Sequence, residues 1–313
     1  MKQPSFSIIV PVYGVEKYIE RCARSLFCQK YERIQFIFVN DGTKDRSIEI
    51  LKALIDKEFA QLREKIVIID KENGGLPAAR KTGLEYATGD YILHIDSDDY
   101  VDCQIVEKIA EAAAKTDADL IYYDLIKEYP QRISYKREYD YASDDATKFA
   151  FNILNGKSMG WLVTKCFKRS VYQSGPLYFA PCGVYEDVYL SLQLLGRCGS
   201  LYHLKEALYH YDRSNPQAYT AMQRRERHYQ FCCNMLDLYD KYAADIDSSP
   251  LKNVAASLMY RVGGYTLRHK FDFFETHKEL AEYLSGAPLG TNYYIPLAAQ
   301  LYVRFVAKII RKK

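Results

Sequence analysis

Residues 89–102 read GDYILHIDSDDYVD, and the fold of the chain follows from how this stretch is parsed. Tyr91 to Ile95 is a short apolar run with β-branched and aromatic residues, bounded by Gly-Asp before it and carboxylates after it. That pattern predicts a buried strand, Tyr91 to Asp96, ending at a functional edge. Side chains two apart on a strand share a face, so Asp96 and Asp98 are expected to point the same way, with Asp99 turning off the strand's end. Three carboxylates this close repel one another unless positive charge sits among them. A hard divalent cation, Mg²⁺ or Mn²⁺, supplies it when held by one or two carboxylates and completed by water and ligand phosphate oxygens. The alternative is a solvated acidic turn in which Asp99 or Asp102 caps the next helix. The acids alone leave both readings open.

Outward from this stretch the pattern repeats. Phe6 to Val12, Ile34 to Val39 and Lys65 to Asp70 are apolar strands, and Asp119 to Ile126 is another beyond it. Helices are predicted over Val15 to Gln29, from the Asp45 or Ser47 cap through Phe59, over Leu76 to Ala87 and over Asp102 to Lys115. Strands that are apolar throughout, alternating with helices, imply an α/β fold with a mostly parallel sheet covered on both faces. Ligands of such sheets bind beyond the carboxyl ends of the strands. Those ends are Pro11-Val12-Tyr13, Asp41-Gly42, Asp70 with Asn73-Gly74-Gly75, and the acids from Asp96 to Asp99. The mix suits a nucleotide: Tyr13 packs on a base, Asp41 accepts from a base or ribose, and Arg80, after the glycine turn, pairs with phosphate. Against this stand an Asx turn for Asp41 and an ordinary helix-surface charge for Arg80.

After residue 127 the repeat gives way to a tyrosine-rich stretch, a helix from Asp145 to Asn155 and an apolar segment around Trp161 to Phe167. Glu186 and Asp187 then open an apolar helix, where acids serve either as caps favoured by the helix dipole or as a general base. From Tyr219 the chain reads as helical. In a last helix, Pro296 to Arg311, Gln300, Arg304, Lys308 and Arg311 form one stripe among apolar residues, which fits either a packing helix or one lying on anionic lipid.

Composition narrows the class. With 48% hydrophobic and 27% charged residues the 313-residue chain is ordinary for a globular protein, although 29 tyrosines stand against one tryptophan. Five of its positive charges, Arg304, Lys308, Arg311, Lys312 and Lys313, sit at the end, so the body without them is slightly acidic and does not read as a nucleic-acid binder. Eight cysteines are scattered with no CxxC pair and no zinc spacing, and are expected to be reduced thiols of a cytoplasmic protein. The first residues run into a strand without the basic start and apolar core of a signal peptide, and no 18 apolar residues run together. No GxGxxG follows the first strand, which argues against a nicotinamide-binding oxidoreductase.

SIIVPVYGVEKYIERCARSL, VNDGTKDRS, NGGLPAARKTGL, GDYILHIDSDD and YEDVYL occur in this order. Together they resemble the family 2 glycosyltransferases of the GT-A fold, in particular bacterial enzymes that build capsule, lipopolysaccharide or other envelope polysaccharides. The resemblance covers residues 5–220 and implies a GT-A domain over 1–220 followed by a C-terminal helical region with a basic amphipathic tail over 221–313. It implies an inverting transfer from a nucleotide sugar, expected to be a UDP-sugar, to a hydroxyl of a glycan or lipid-linked saccharide, with Mn²⁺ or Mg²⁺ as cofactor. Position by position, Pro11, Val12, Tyr13 and Asp41 look like nucleobase contacts and Arg80 like the residue holding the nucleotide. Asp96, Ser97 and Asp98 look like the DxD motif, with Asp96 on the sugar side and Asp98 on the metal. Asp187, with Glu186 beside it, sits where the family places its base, and Arg213 falls near a segment that closes over the diphosphate. Lys81 stands where Asn is common, Thr43-Lys44 replace Ser-Thr, and no His follows Tyr211-Asp-Arg213 where some relatives hold the metal. Two alternatives remain: transfer to a polyprenyl phosphate, which needs no base, and a silent nucleotide-sugar or glycan-binding module. The tail is expected to rest on the inner face of the cytoplasmic membrane.

Overall fold

Strands and helices alternate as the periodicity predicts in a computed structural model that describes residues 3–215, 222–277 and 280. In chain order these are β1 (Phe6–Val12), α1 (Ile19–Phe27), β2 (Ile34–Asn40), α2 (Ser47–Glu58), β3 (Ile66–Asp70), α3 (Gly75–Tyr86), β4 (Tyr91–His94), β5 (Tyr100–Val101), α4 (Ile105–Thr116) and β6 (Leu120–Tyr129). Then follow β7 (Arg132–Lys136), α5 (Ala146–Leu154), β8 (Lys165–Lys168), α6 (Arg169–Gln173), α7 (Glu186–Leu195), β9 (Leu201–Asp212), α8 (Arg224–Tyr242), α9 (Ala255–His269) and α10 (Phe273–Thr276). The predicted helix over 296–311 lies outside the described residues.

The strands form one sheet in the order β3-β2-β1-β4-β8-β6-β9-β5, with β7 beside β6. β3, β2, β1 and β4 pair in parallel. The other half is mixed, because β8 runs antiparallel to both β4 and β6 while β6 and β9 are parallel. This is the α/β class of the GT-A fold. β1 is buried along its whole length, as a strand covered on both faces requires.

Register is set where β4 begins. Ser7 Oγ on β1 accepts from the Gly89 and Thr88 amides at 2.9 and 3.1 Å, and Asp90 accepts from the Ser5 amide and hydroxyl at 2.8 and 2.7 Å. A Cβ at residue 89 would stand 2.5 Å from Phe6 C and Ser7 N, so only glycine lets the two backbones meet. The strand itself is shorter than expected. Ile95 N still donates to Ile9 O at 3.0 Å, but Asp96 N turns away to the Tyr209 hydroxyl at 3.3 Å. The acids therefore belong to a turn closed by Asp99 N on Asp96 O at 3.1 Å, and not to an alternating strand.

The chain forms two compact units, one of residues 1–146, 161–179 and 197–218 and one of residues 147–160, 180–196 and 219–313. The first holds the sheet. In the second, α7 is anchored by Ser191 Oγ on Gly160 O at 3.0 Å and Tyr189 Oη on Asp237 at 2.6 Å, and Asn234 Nδ2 bonds Val184 O at 2.7 Å. Among the described residues no helix is long and apolar enough to cross a membrane.

One expectation about the thiols is corrected. Cys28, at the C-cap of α1, and Cys103, before α4, form a disulfide with Cα atoms 5.6 Å apart, while the other six cysteines form none. The Gln29 side chain draws these segments together by donating to Asp102 O and accepting from Val106 N, at 2.9 and 3.2 Å.

Gly83 gives the test of how α3 seats on the sheet. Alanine in a helix interior is favoured over glycine by up to about 1 kcal/mol. Here a Cβ would stand 2.3 Å from Ile9 Cγ2 on buried β1, and a β-branched side chain has no easy rotamer to yield. Overpacking of this kind costs about 1–3 kcal/mol. Gly83→Ala is therefore expected to lower the melting temperature; a rise would show that α3 does not press on β1 as described.

Candidate active site

Asp99 is fully buried and faces into the protein, where its Oδ2 accepts from Tyr209 Oη at 2.6 Å and its Oδ1 from Asp212 N at 2.8 Å. Both partners lie at the end of β9. Burial first, and then the charges of Asp98 and Asp96, hold this carboxyl well above the ordinary carboxylate range. Because Asp99 turns inward, Asp96 and Asp98 stay partly exposed, with Ser97 buried between them. Neither acid considered as a helix cap takes that role: the N-cap of α4 is Gln104, with no side-chain cap bond, and Asp102 Oδ1 accepts from Gln104 N at 2.8 Å just ahead of it.

Each outward acid has a holder. Arg80, only 2% exposed in its α3 position, donates to Asp96 Oδ1 at 2.7 Å, so its guanidinium meets a carboxylate beneath the turn. Burial and the Arg80 charge push neighbouring His94 well below its usual pKa, leaving Arg80 the positive group under the acids. Asn215 Nδ2 donates to Asp98 Oδ2 at 2.8 Å. Arg21 on α1 bridges Asp98 O at 2.8 Å and Asp212 Oδ2 at 2.6 Å, which fixes the turn's backbone to the end of β9.

Asp41 is buried as well, and its carboxylate pins the glycine turn: Oδ1 accepts from Lys71 Nζ at 2.6 Å and Gly74 N at 2.9 Å, and Oδ2 from Gly75 N at 2.8 Å. The local side-chain turn is made instead by Asn40, whose Oδ1 accepts from Thr43 N, three residues on, at 2.9 Å. Pro11 and Val12 are buried while Tyr13 is 55% exposed at the tip of β1. Beside it Gly14, at φ +68°, donates to Thr43 Oγ1 at 2.9 Å. The ends of β1, β2 and β4 and the start of α3 thus gather Tyr13, Asp41, Arg80, Asp96 and Asp98 at the carboxyl edge of the parallel strands.

Arg213 follows β9, exposed, with its amide on Glu128 O at 2.8 Å and Nη1 on the Tyr211 hydroxyl at 3.1 Å. In the second unit, Tyr185 adopts φ +63°, a conformation costly for a non-glycine residue, and turns the chain directly into α7. Its ring packs edge-on against Phe231 at 5.2 Å, which helps hold the kink. Glu186 is buried, and Asp187 Oδ1 accepts from Val188 N at 2.8 Å in the first turn of α7.

Asp96 and Asp98 fit a hard cation. Burial and the Asp96 charge raise the Asp98 carboxyl, while the Asn215 hydrogen bond lowers it and Arg80 is paired with Asp96. No three His, Cys, Asp or Glu side chains cluster as a ligand set among the described residues. One or two carboxylates are what a Mg²⁺-type ion takes from protein when water and ligand phosphates complete its shell. Sequence reasoning missed Arg21, Tyr209 and Asn215, whose partners lie 77 to 191 positions away. The recurrence of polar residues after Tyr209 was the one signal available.

Residues 7–175 match the profile of glycosyl transferase family 2. The putative glycosyltransferase EpsH of Bacillus subtilis (strain 168) is 30% identical over 217 residues, which is 67% of this chain and 61% of that protein. The chain therefore spans less than two thirds of that relative's length. Among solved structures, S. aureus TarS 1–349 in complex with UDP-GlcNAc superposes with a TM-score of 0.66 at 15% identity, covering 98% of this chain and 90% of that one. The mannosyltransferase PcManGT of Pyrobaculum calidifontis, in complex with GDP-Man and Mn²⁺, gives 0.54 at 15% identity over 100% and 83%. These two likenesses are of fold. With more than half of its length in the family match, and the acid turn at the strand edge within it, the chain belongs to glycosyl transferase family 2.

Proposed function

We propose that the chain is an inverting, divalent-metal-dependent glycosyltransferase that moves a sugar from a UDP-sugar to a hydroxyl of a glycan or lipid-linked saccharide in envelope polysaccharide synthesis. The observation that carries this reading is the acid turn: Asp99 clamped inward by Tyr209 and Asp212 N, leaving Asp96 and Asp98 presented together. UDP-GlcNAc in the TarS complex supports the donor class, and Mn²⁺ in the mannosyltransferase complex supports the cofactor.

Asp98 and Asp96 would hold Mn²⁺ or Mg²⁺, which when bound neutralises charge growing on the departing nucleoside diphosphate. Exposed Tyr13 offers a ring to the base, beside the turn that Asp41 fixes. Arg80 acts through Asp96, holding that carboxylate in place, and contributes positive charge from below. Arg213, exposed after β9, is the cation proposed for the diphosphate. Asp187 accepts the proton of the acceptor hydroxyl as its oxygen bonds to the anomeric carbon and the sugar–phosphate bond breaks. One displacement inverts that carbon, and Glu186 tunes its neighbour. A seat on the inner membrane face is proposed from the basic stripe of residues 296–311.

Two substitutions separate these roles. Asp187→Asn is expected to cut transfer by about 10²–10⁴-fold, the range for a general base, with UDP affinity unchanged by calorimetry; unaltered turnover removes Asp187 from the reaction. Asp98→Ala is expected to weaken UDP binding in Mn²⁺ and to leave metal-free binding as it was. Equal affinity in Mn²⁺ for the variant and the parent would take Asp98 out of the metal site.

A further inference from the structure

Two residues along β9 from the tyrosine that clamps Asp99, Tyr211 lies on the same face of the sheet, since alternate side chains share a face. Its registered partner on β6 is Lys127, and Lys127 in turn faces Ser134 on β7. Lys136 pairs with Leu125, two before Lys127, and so belongs to that face too. Over this corner lies Trp161, its ring centroid 5.7 Å from that of Tyr211, with Lys127 Nζ 4.7 Å from the indole centroid. The Arg213 guanidinium lies 5.4 Å from the Tyr211 ring on the flank.

Two cations thus stand on the two aromatic rings with Lys136 on the same face of the sheet, and among the described residues no carboxylate pairs with Lys127, Lys136 or Arg213. Burial, and then the charges of Lys136 and Arg213, push the Lys127 ammonium below its ordinary pKa. The indole offsets part of that cost through its face. Lys127 is half-buried while Lys136 and Arg213 are exposed; like charges brought this close are stabilised by an anion, and charge-assisted bonds are the strong ones. An amphipathic ring beside them offers the flat apolar surface that a sugar ring needs. Glu128, the nearest acid on β6, is turned to the other face by the same alternation, where it accepts from His210 at 2.8 Å.

We propose that Lys127, Lys136 and Trp161 form an acceptor subsite for a saccharide bearing a phosphate or a carboxylate, the indole receiving the ring and the lysines the anion. The inference deepens the transferase reading and rests on it. Trp161 is the chain's single tryptophan, so its emission reports on this place directly. The full chain, with and without UDP and Mn²⁺, is titrated with glucose 6-phosphate, glucuronate, glucose and inorganic phosphate. A charged sugar is expected to change the emission saturably, and the tighter of the two identifies the anion. Lys127→Gln and Lys136→Gln are each expected to raise half-saturation by about tenfold, while Lys127→Arg preserves it. Unchanged UDP affinity by calorimetry shows that these variants are folded. Glucose or inorganic phosphate binding as tightly as the charged sugars overturns the subsite, as does competition by UDP, which would assign the lysines to the donor. Unmoved half-saturation in both glutamine variants overturns it as well. Failure of the unaltered chain to bind UDP sinks the transferase reading and the subsite together.

Discussion

A carboxylate placed where water cannot reach it is the constraint on which this site depends. Burying an ionisable group is costly unless its hydrogen-bonding capacity is met. Asp99 meets that demand with one hydroxyl and one amide, both from the end of β9. The two bonds tie the turn between β4 and β5 to the end of β9, beside the short β5–β9 pairing. Because Asp99 is drawn inward, the backbone must turn at Asp96 to Asp99, and the turn sets out the other two acids side by side. A simple acidic loop on the surface has no such internal anchor and no reason to hold its charges together.

Around this anchor the other polar contacts act on position more than on charge. Arg80 comes from a helix whose start is fixed by the glycine turn, and that turn is fixed by Asp41. Arg21 ties the carbonyl of Asp98 to Asp212, so α1, β4 and β9 meet at one place. At the far end of β4, Gly89 and Asp90 lock its register against β1. A slip of one residue there would turn the buried strand over and carry the acids with it. The same alternation along β9 puts the hydroxyl that serves Asp99 and the Trp161 corner on one face, which links the acid turn to the place assigned to the acceptor.

Much of this was legible in the sequence. The continuous apolar runs of β1, β2 and β4 have no period-2 alternation and could only be covered strands, and helices between them forced a parallel sheet. Asp41, Asp96 and Asp98 stand just past strand ends and Arg80 just past a glycine turn, and those positions mark them in the sequence. The rest was hidden for physical reasons. β9 reads LYHLKEALYHYD, mostly half-buried and with a register break against β6 between Tyr123 and Leu125, so no clean period marks it. β8 is four residues long, too short to show a period, and stands in the sequence only as part of an apolar segment. That Asp99 leaves the strand's end is legible in the sequence, but what it binds is not, because its partners come from over a hundred residues away. The Cys28–Cys103 bond is likewise invisible in spacing, since it depends on α1 and α4 being brought together by the sheet.

The central claim is that the outward pair, Asp96 and Asp98, is a seat for a hard cation and the diphosphate of a nucleotide sugar. The direct measurement is a crystal structure of the chain grown with UDP and Mn²⁺, with anomalous diffraction recorded to locate the manganese. The account predicts a single strong peak within ligating distance of the Asp98 carboxylate and of UDP phosphate oxygens, with Asp99 still bound to Tyr209. Manganese bound elsewhere, or UDP bound away from the turn, would contradict it.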